Sequence, residues 1–246
     1  MCFGECNAYY FFYNQITIIG ASMRSVYLSF FISLTFLTTS FSQSNDYYFH
    51  PKFYGGISVG YYGGFGIQGN ATVSHFVKEI PLSIRLGIGY TSTDPGNPAD
   101  ARKIFINDAT NGVPEKSGEV WDFRADFIIP VKLFANSSIY AGVRYSLFTA
   151  DFRFIDGNEF FTISSNDFGL GGGLETQFSL SPNLFLLFSA GADYYFSTKI
   201  SGHDTEYSSD GEDVNPRRDY TFDDADNAIN QPKLQPRAMI GINYGF

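Results

Sequence analysis

From Phe53 to the end of the chain, apolar residues recur at every second position through eight separate segments, and a period of two commits a chain to strands with two chemically distinct faces. The third segment is the clearest, with Leu82, Ile84, Leu86, Ile88 and Tyr90 alternating against Ser83, Arg85, Gly87, Gly89 and Thr91. In the fourth, Trp121, Phe123, Ala125, Phe127 and Ile129 oppose Asp122, Arg124 and Asp126. The others run over 53–61, 65–74, 139–147 with a continuation through Phe154, 167–178, 186–196 and 234–246. An excess of Phe (27), Tyr (17) and Gly (25) suits many strands whose backbones crowd. A net charge of −9 argues against nucleic acid as a partner.

Two architectures turn such strands into a closed structure: a soluble cup with its apolar face inward, and a membrane barrel with that face toward lipid. The polar parity here holds glycines and isolated charges rather than the dense Lys/Glu cover of a soluble surface. Aromatics sit near strand ends, Tyr90 and Trp121 at one rim and Phe178, Tyr244 and Phe246 at the other, as in an interfacial girdle. Connections 77–81, 130–137 and 180–183 are short, whereas 93–118 and 198–232 are long. Tight turns are expected at Gly63-Gly64 and Asp156-Gly157. The expected fold is therefore all-β, an eight-stranded antiparallel up-and-down transmembrane β-barrel with short periplasmic turns and two long extracellular loops.

The amino end agrees with export. Met23-Arg24-Ser25 leads into an apolar run, Val26 to Leu37, followed by small residues at Ser40 and Ser42, so 23–42 reads as a signal peptide cleaved before Gln43. Residues 1–22 make a poor leader and read as an upstream segment that is not translated, which leaves 43–246 as the barrel. Cys2 and Cys6 both fall in the discarded part, so the exported chain is expected to hold no disulfide and no thiol nucleophile.

In these features the sequence resembles the small eight-stranded outer-membrane β-barrel proteins of Gram-negative bacteria, the OmpA/OmpX-like family. The most specific element is the last strand, where Ile240, Ile242, Tyr244 and the terminal Phe246 resemble the insertion signal read by the family's assembly machinery. The resemblance implies a cell outer membrane location with both termini periplasmic, and outer-membrane lipid, lipopolysaccharide and, during biogenesis, the assembly machinery as partners of a monomer. No peptidoglycan-binding module of the kind some relatives carry is expected.

Eight strands leave an interior just wide enough for side chains. Arg85, Arg124, Arg144 and Arg237 oppose Asp122, Asp126, Glu175 and Asp193 on the inward parity, a neutral set that would plug the lumen. Counting along the strands suggests Arg85 with Asp126, Asp193 with Arg237, and Arg144 with Asp126 or Asp122. In the loops, Asn97 and Pro98 should start a short helix carrying Ile104, Phe105 and Ile106. The stretch 198–232 is rich in carboxylates without the ligand spacing of an EF-hand, and reads as a solvated acidic loop. His203 beside Asp204 and near Ser201, Ser208 and Ser209 lacks the orientation a nucleophilic triad requires, and His50 and His75 lie away from the outer loops. Asn70-Ala-Thr72, Asn136-Ser-Ser138 and Gly171-Gly-Gly173 are read as structural. The expectation is a structural or surface-interaction scaffold that is not an enzyme and takes no cofactor or metal. A narrow channel for small solutes and a lipid-A-modifying barrel enzyme are the alternatives.

Overall fold

The computed structural model describes residues 51–75, 80–106, 112–157 and 159–246. The two segments 1–22 and 23–42, both cysteines and His50 lie outside the described residues.

In chain order the elements are β1 (Lys52–Tyr62), β2 (Phe65–Ser74), β3 (Ser83–Thr93), α1 (Pro98–Phe105), β4 (Val113–Val131), β5 (Ser137–Ile155), β6 (Phe160–Ser181), β7 (Leu184–Tyr195), β8 (Lys199–Gly202), β9 (Thr205–Ser208), α2 (Phe222–Ala228) and β10 (Leu234–Gly245). Strands β1 to β7 pair consecutively and antiparallel, and β10 closes the ring between β7 and β1. These eight strands form the closed barrel. The alternation read from the sequence sorts the faces: Ile57 and Leu86 are 62% and 60% exposed on the outside, whereas Asp122 and Arg144 are each 1% exposed on the inside.

Both expected tight turns form. At the first, Gly63 has φ +65°, and Tyr62 N donates to Gly64 O at 2.8 Å. At the second, Asp156 takes φ +62°, and Gly157 N donates to Phe154 O at 3.2 Å.

The two long connections are not loops in the expected sense. Residues 113–118, placed in the first of them by the sequence reading, are the start of β4. The second holds the β8–β9 hairpin and α2, so the sheet has ten strands in all. β4, β5 and β6 outrun their neighbours: β3 pairs with β4 only up to Thr93–Gly118, and β7 with β6 only up to Gly169–Tyr195. Past that point β8 takes the place of β7 beside β6, from Ser165–Ile200 to Ile163–Gly202.

Over this projecting part the chemistry of the two faces inverts while the period is kept. Inward positions become apolar: Val120 on β4, Phe148, Ala150, Phe152 and Phe154 on β5, Phe161 and Ile163 on β6. Outward positions become polar, as at Glu115, Ser117 and Glu119. Ala101, Ile104 and Phe105 of α1, Ile200 of β8, Tyr207 of β9, and Ala225 and Ala228 of α2 complete this core. The result is a small head with an interior of the ordinary water-soluble kind, continuous with a barrel of the opposite kind. Helix α1 starts where expected: Asn97 Oδ1 accepts from Ala99 N at 3.0 Å, and Pro98 occupies the first turn.

Candidate functional site: the lumen and the outer head

Antiparallel register places the inward residues in rows around the barrel. One row runs Arg85, Asp126, Gly142, Gly171, Asp193, and the next runs Gly87, Arg124, Arg144, Gly169, Tyr195. Charged side chains thus share each row with glycines, and Arg124 and Arg144 each have a glycine, Gly87 and Gly169, directly opposite on one neighbouring strand.

Register neighbours are not always the charge partners. Arg85 and Asp126 are directly opposite on β3 and β4, yet Arg85 reaches across the lumen to β6, with Nη1 2.7 Å from Glu175 Oε2 and Nη2 2.9 Å from Oε1. Its Nε donates to Thr72 Oγ1 at 3.2 Å. The two-point fork onto a carboxylate satisfies two N–H groups of the guanidinium at once. The expected Arg85–Asp126 pair is corrected accordingly.

Arg144 meets two carboxylates, donating from Nε to Asp193 Oδ1 at 2.8 Å and placing Nη1 2.6 Å from Asp126 Oδ1 as an ion-pair contact. Arg124 also meets two, with Nη2 2.9 Å from Asp122 Oδ1 and 3.1 Å from Asp193 Oδ2. Asp193 therefore serves Arg124 and Arg144 rather than Arg237, which corrects the expected Asp193–Arg237 pair. Arg237 donates from Nη2 to Gln68 Oε1 and lies over the Tyr62 ring at 5.7 Å. All of these groups are buried, so the charges have given up bulk water and rely on one another.

Three luminal residues were not singled out from the sequence. Tyr62 and Tyr195 hydrogen-bond to each other through their hydroxyls, and Tyr195 also reaches Asp122 Oδ2 at 3.3 Å. Asp167 is fully buried and accepts from Ser165 Oγ at 2.9 Å and Thr198 Oγ1 at 3.0 Å. Inward parity was the available signal for all three: the two tyrosines look neutral to a search for charges, and Asp167 is an inward carboxylate outside the eight-charge set.

In the head, Tyr207 ties the two long connections together. Its hydroxyl donates to Ile104 O at 3.2 Å and accepts from Arg217 N at 3.0 Å, and its ring meets Phe105 edge-on at 5.6 Å. The acidic side chains are mostly engaged locally. Asp226 takes Lys233 at 2.6 Å, Glu206 takes Ser201 Oγ at 2.7 Å, Asp213 accepts from Ser208 N at 2.7 Å, and Asp224 forms a capping box with Thr221. Hydrogen bonds from Ser201 and Lys199 hold the Glu206 carboxyl below its usual range. His203 stands exposed at the β8–β9 turn with φ +52° and faces Asp204 at 3.4 Å, while the nearby serine hydroxyls are directed elsewhere, Ser201 to Glu206 and Ser209 to the Ser197 carbonyl. Among the described residues no group of three or more His, Cys, Asp or Glu side chains is arranged to hold a metal ion.

No protein-family model matches the chain, and no curated protein sequence matches it significantly. Among solved structures, a major outer membrane protein from Thermus thermophilus superposes with a TM-score of 0.65 at 27% identity, covering 80% of this chain and 100% of that one. This chain is an eight-stranded outer-membrane β-barrel. Looser similarities include Ail, the attachment invasion locus protein of Yersinia pestis (13% identity, TM-score 0.41, 80% and 97% coverage), and Neisserial surface protein A (14%, 0.36, 80% and 97%).

For an outer-membrane barrel the exposed aliphatic rows are the lipid-facing surface. The expected girdle residues fall in contacting pairs, Tyr90 with Trp121 at 5.2 Å between ring centres at one rim, and Tyr244 with Phe246 at 5.2 Å at the other. Ile240, Ile242 and Tyr244 of the last barrel strand all point outward, and Phe246 N donates to Phe53 O at 2.9 Å.

Proposed function

We propose that this outer-membrane barrel is a non-conducting anchor that displays the head on the cell surface as a scaffold for interaction, and that it is not an enzyme. The observation that carries the reading is the apolar core of the head. A chain that needed only to span the membrane would have no use for Phe148, Phe152, Phe161 and Tyr207 packed outside it. Below the head, the buried ion pairs of Arg85, Arg124 and Arg144 support the closed half of this reading, in which the eight-charge set with Tyr62 and Tyr195 serves as a plug.

The short turns and both ends of the barrel sequence face the periplasm in this reading, and the head faces outward. Lipid and lipopolysaccharide surround a monomer, and the outward-facing Ile240, Ile242, Tyr244 and Phe246 present the insertion signal to the assembly machinery before the barrel closes.

Two measurements on the full exported chain test the proposal. A short epitope inserted between Asp210 and Gly211 should be labelled on intact cells, and the refolded protein should give no stable conductance in planar bilayers. Steady single-channel currents would replace the anchor with a solute channel, and an epitope reached only after outer-membrane rupture would reverse the orientation.

A further inference from the structure

At the short-turn end, opposite the head, the lumen opens into a cavity of about 520 Å³. That lies within the roughly 300–1,000 Å³ typical of small-molecule sites. Nothing in the anchoring role calls for it, and its chemistry differs from that of the plug above it.

Its floor is the Arg85–Glu175 fork, in which opposite charges meet at 2.7 Å and 2.9 Å. A floor so neutralised offers polar atoms without a net charge to attract an anion or a cation. The walls offer hydroxyls and carboxamides, among them Ser83, Ser138, Gln177 and Asn243, groups that both donate and accept. Asn243 lines the cavity at 2% exposure, with its Oδ1 turned onto Gly56 of β1 rather than into the open space. Across the cavity lining, Tyr54 and Phe185 meet edge-on at 5.9 Å between ring centres and provide an apolar patch beside these polar groups.

A neutral floor, bifunctional polar walls and an aromatic patch match a molecule that is uncharged, rich in hydroxyls and apolar on one ring face. From this combination we infer that the short-turn cavity is a binding site for a neutral saccharide, with the wall hydroxyls and carboxamides bonding to its hydroxyls and Tyr54 and Phe185 packing against its C–H face. The site is open on one side, so part of the sugar stays in water and affinity is modest, with a Kd of about 1 mM. Both a free sugar and the exposed end of a glycan chain present this chemistry.

The test uses the exported chain refolded in lipid nanodiscs, with the side-chain amides of Asn243 and Gln177 followed by NMR. Three probes are titrated separately: N-acetylglucosamine, its β-linked trisaccharide, and glucuronate as a charged comparator of similar size. The two neutral probes should shift the Asn243 and Gln177 amides while leaving the head unchanged. Stronger binding of the trisaccharide identifies a glycan end, and equal binding identifies a free sugar. Asn243→Ala and Gln177→Ala should each weaken binding about tenfold or less, as expected for the loss of one hydrogen bond. The Gln177 variant tests the site even if the change in the last barrel strand impairs assembly, which heat-dependent gel mobility reports. Absence of any shift in the two amides, shifts confined to the head, or glucuronate binding as well as the neutral sugars would each overturn the assignment.

Discussion

Arg144 on β5 and Asp193 on β7 bond at 2.8 Å directly over Gly171 of the strand between them. A Cβ at Gly171 would lie 1.6 Å from Asp193 Oδ1 and 2.7 Å from Arg144 Nε, so the pair exists because that position has no side chain. The central strand is bare where its neighbours' charges must meet.

Gly171→Ala should therefore separate Arg144 from Asp193 and lower barrel stability by about 1–3 kcal/mol, the usual scale of overpacking. Gly69→Ala is the matched control, since a Cβ there meets nothing within 4 Å. Urea unfolding in a single detergent, followed by loss of the heat-modifiable form, compares the two. Equal midpoints would show that the luminal bond contributes nothing.

Asp193 is the shared carboxylate of two guanidiniums, and Arg124 and Arg144 are themselves register neighbours. Asp193→Asn leaves those like charges adjacent with less compensation. It should cost roughly 3–5 kcal/mol, the scale for breaking a buried pair. The combination of Asp193→Asn with Arg144→Met should recover part of the loss, which the same unfolding measurement reads as a double-mutant cycle.

Tyr207→Phe keeps the ring in the head core but removes the hydroxyl that joins Ile104 O to Arg217 N. The expected cost is about 1–3 kcal/mol, local to the head, because two backbone groups lose their partner. Hydrogen exchange should quicken in 98–106 and 205–229 while β1 and β2 keep their protection. Uniform acceleration over the whole barrel would mean that the head and the barrel unfold as one unit.

Asp94 sits just beyond β3, where Lys116 Nζ donates to its two oxygens at 2.7 Å and 2.9 Å and Gly96 N donates at 2.9 Å. The Lys116 hydrogen bond first, and the Gly96 N–H second, hold its carboxyl below the usual range. A depressed carboxyl pKa adds stability above the ordinary value, about 4, and that stability is lost as pH falls through the lowered value. In an NMR titration the Asp94 carboxyl should have its midpoint below the ordinary one and move back toward it in Lys116→Met. An unchanged midpoint in the variant would assign the shift to Gly96 alone.

Much of this architecture was legible in the chain itself. Alternation of period two carries its meaning locally: a residue's parity decides its face, so Leu86 outside and Arg85 inside could be read without coordinates. Turn chemistry was local as well, since Gly63-Gly64 and Asp156-Gly157 supply the positive φ their turns require. The head was not legible as a folded unit, because in β4, β5 and β6 the period continues while the solvent changes. Phe148 and Phe152 share their parity with Arg144, and only their height relative to lipid makes an apolar inward residue the correct one.

By itself, then, the sequence determined the strand count of the barrel, the faces, the turns and the starting cap of α1, all properties set within a few residues of the backbone. Tertiary structure alone decided that Arg85 bonds Glu175 rather than the Asp126 opposite it, that Asp193 joins two arginines, and that the acidic connection folds against Phe105 and Tyr207. Those outcomes depend on which side chains can reach across a closed cylinder, a distance in space that strand order constrains without choosing the partner.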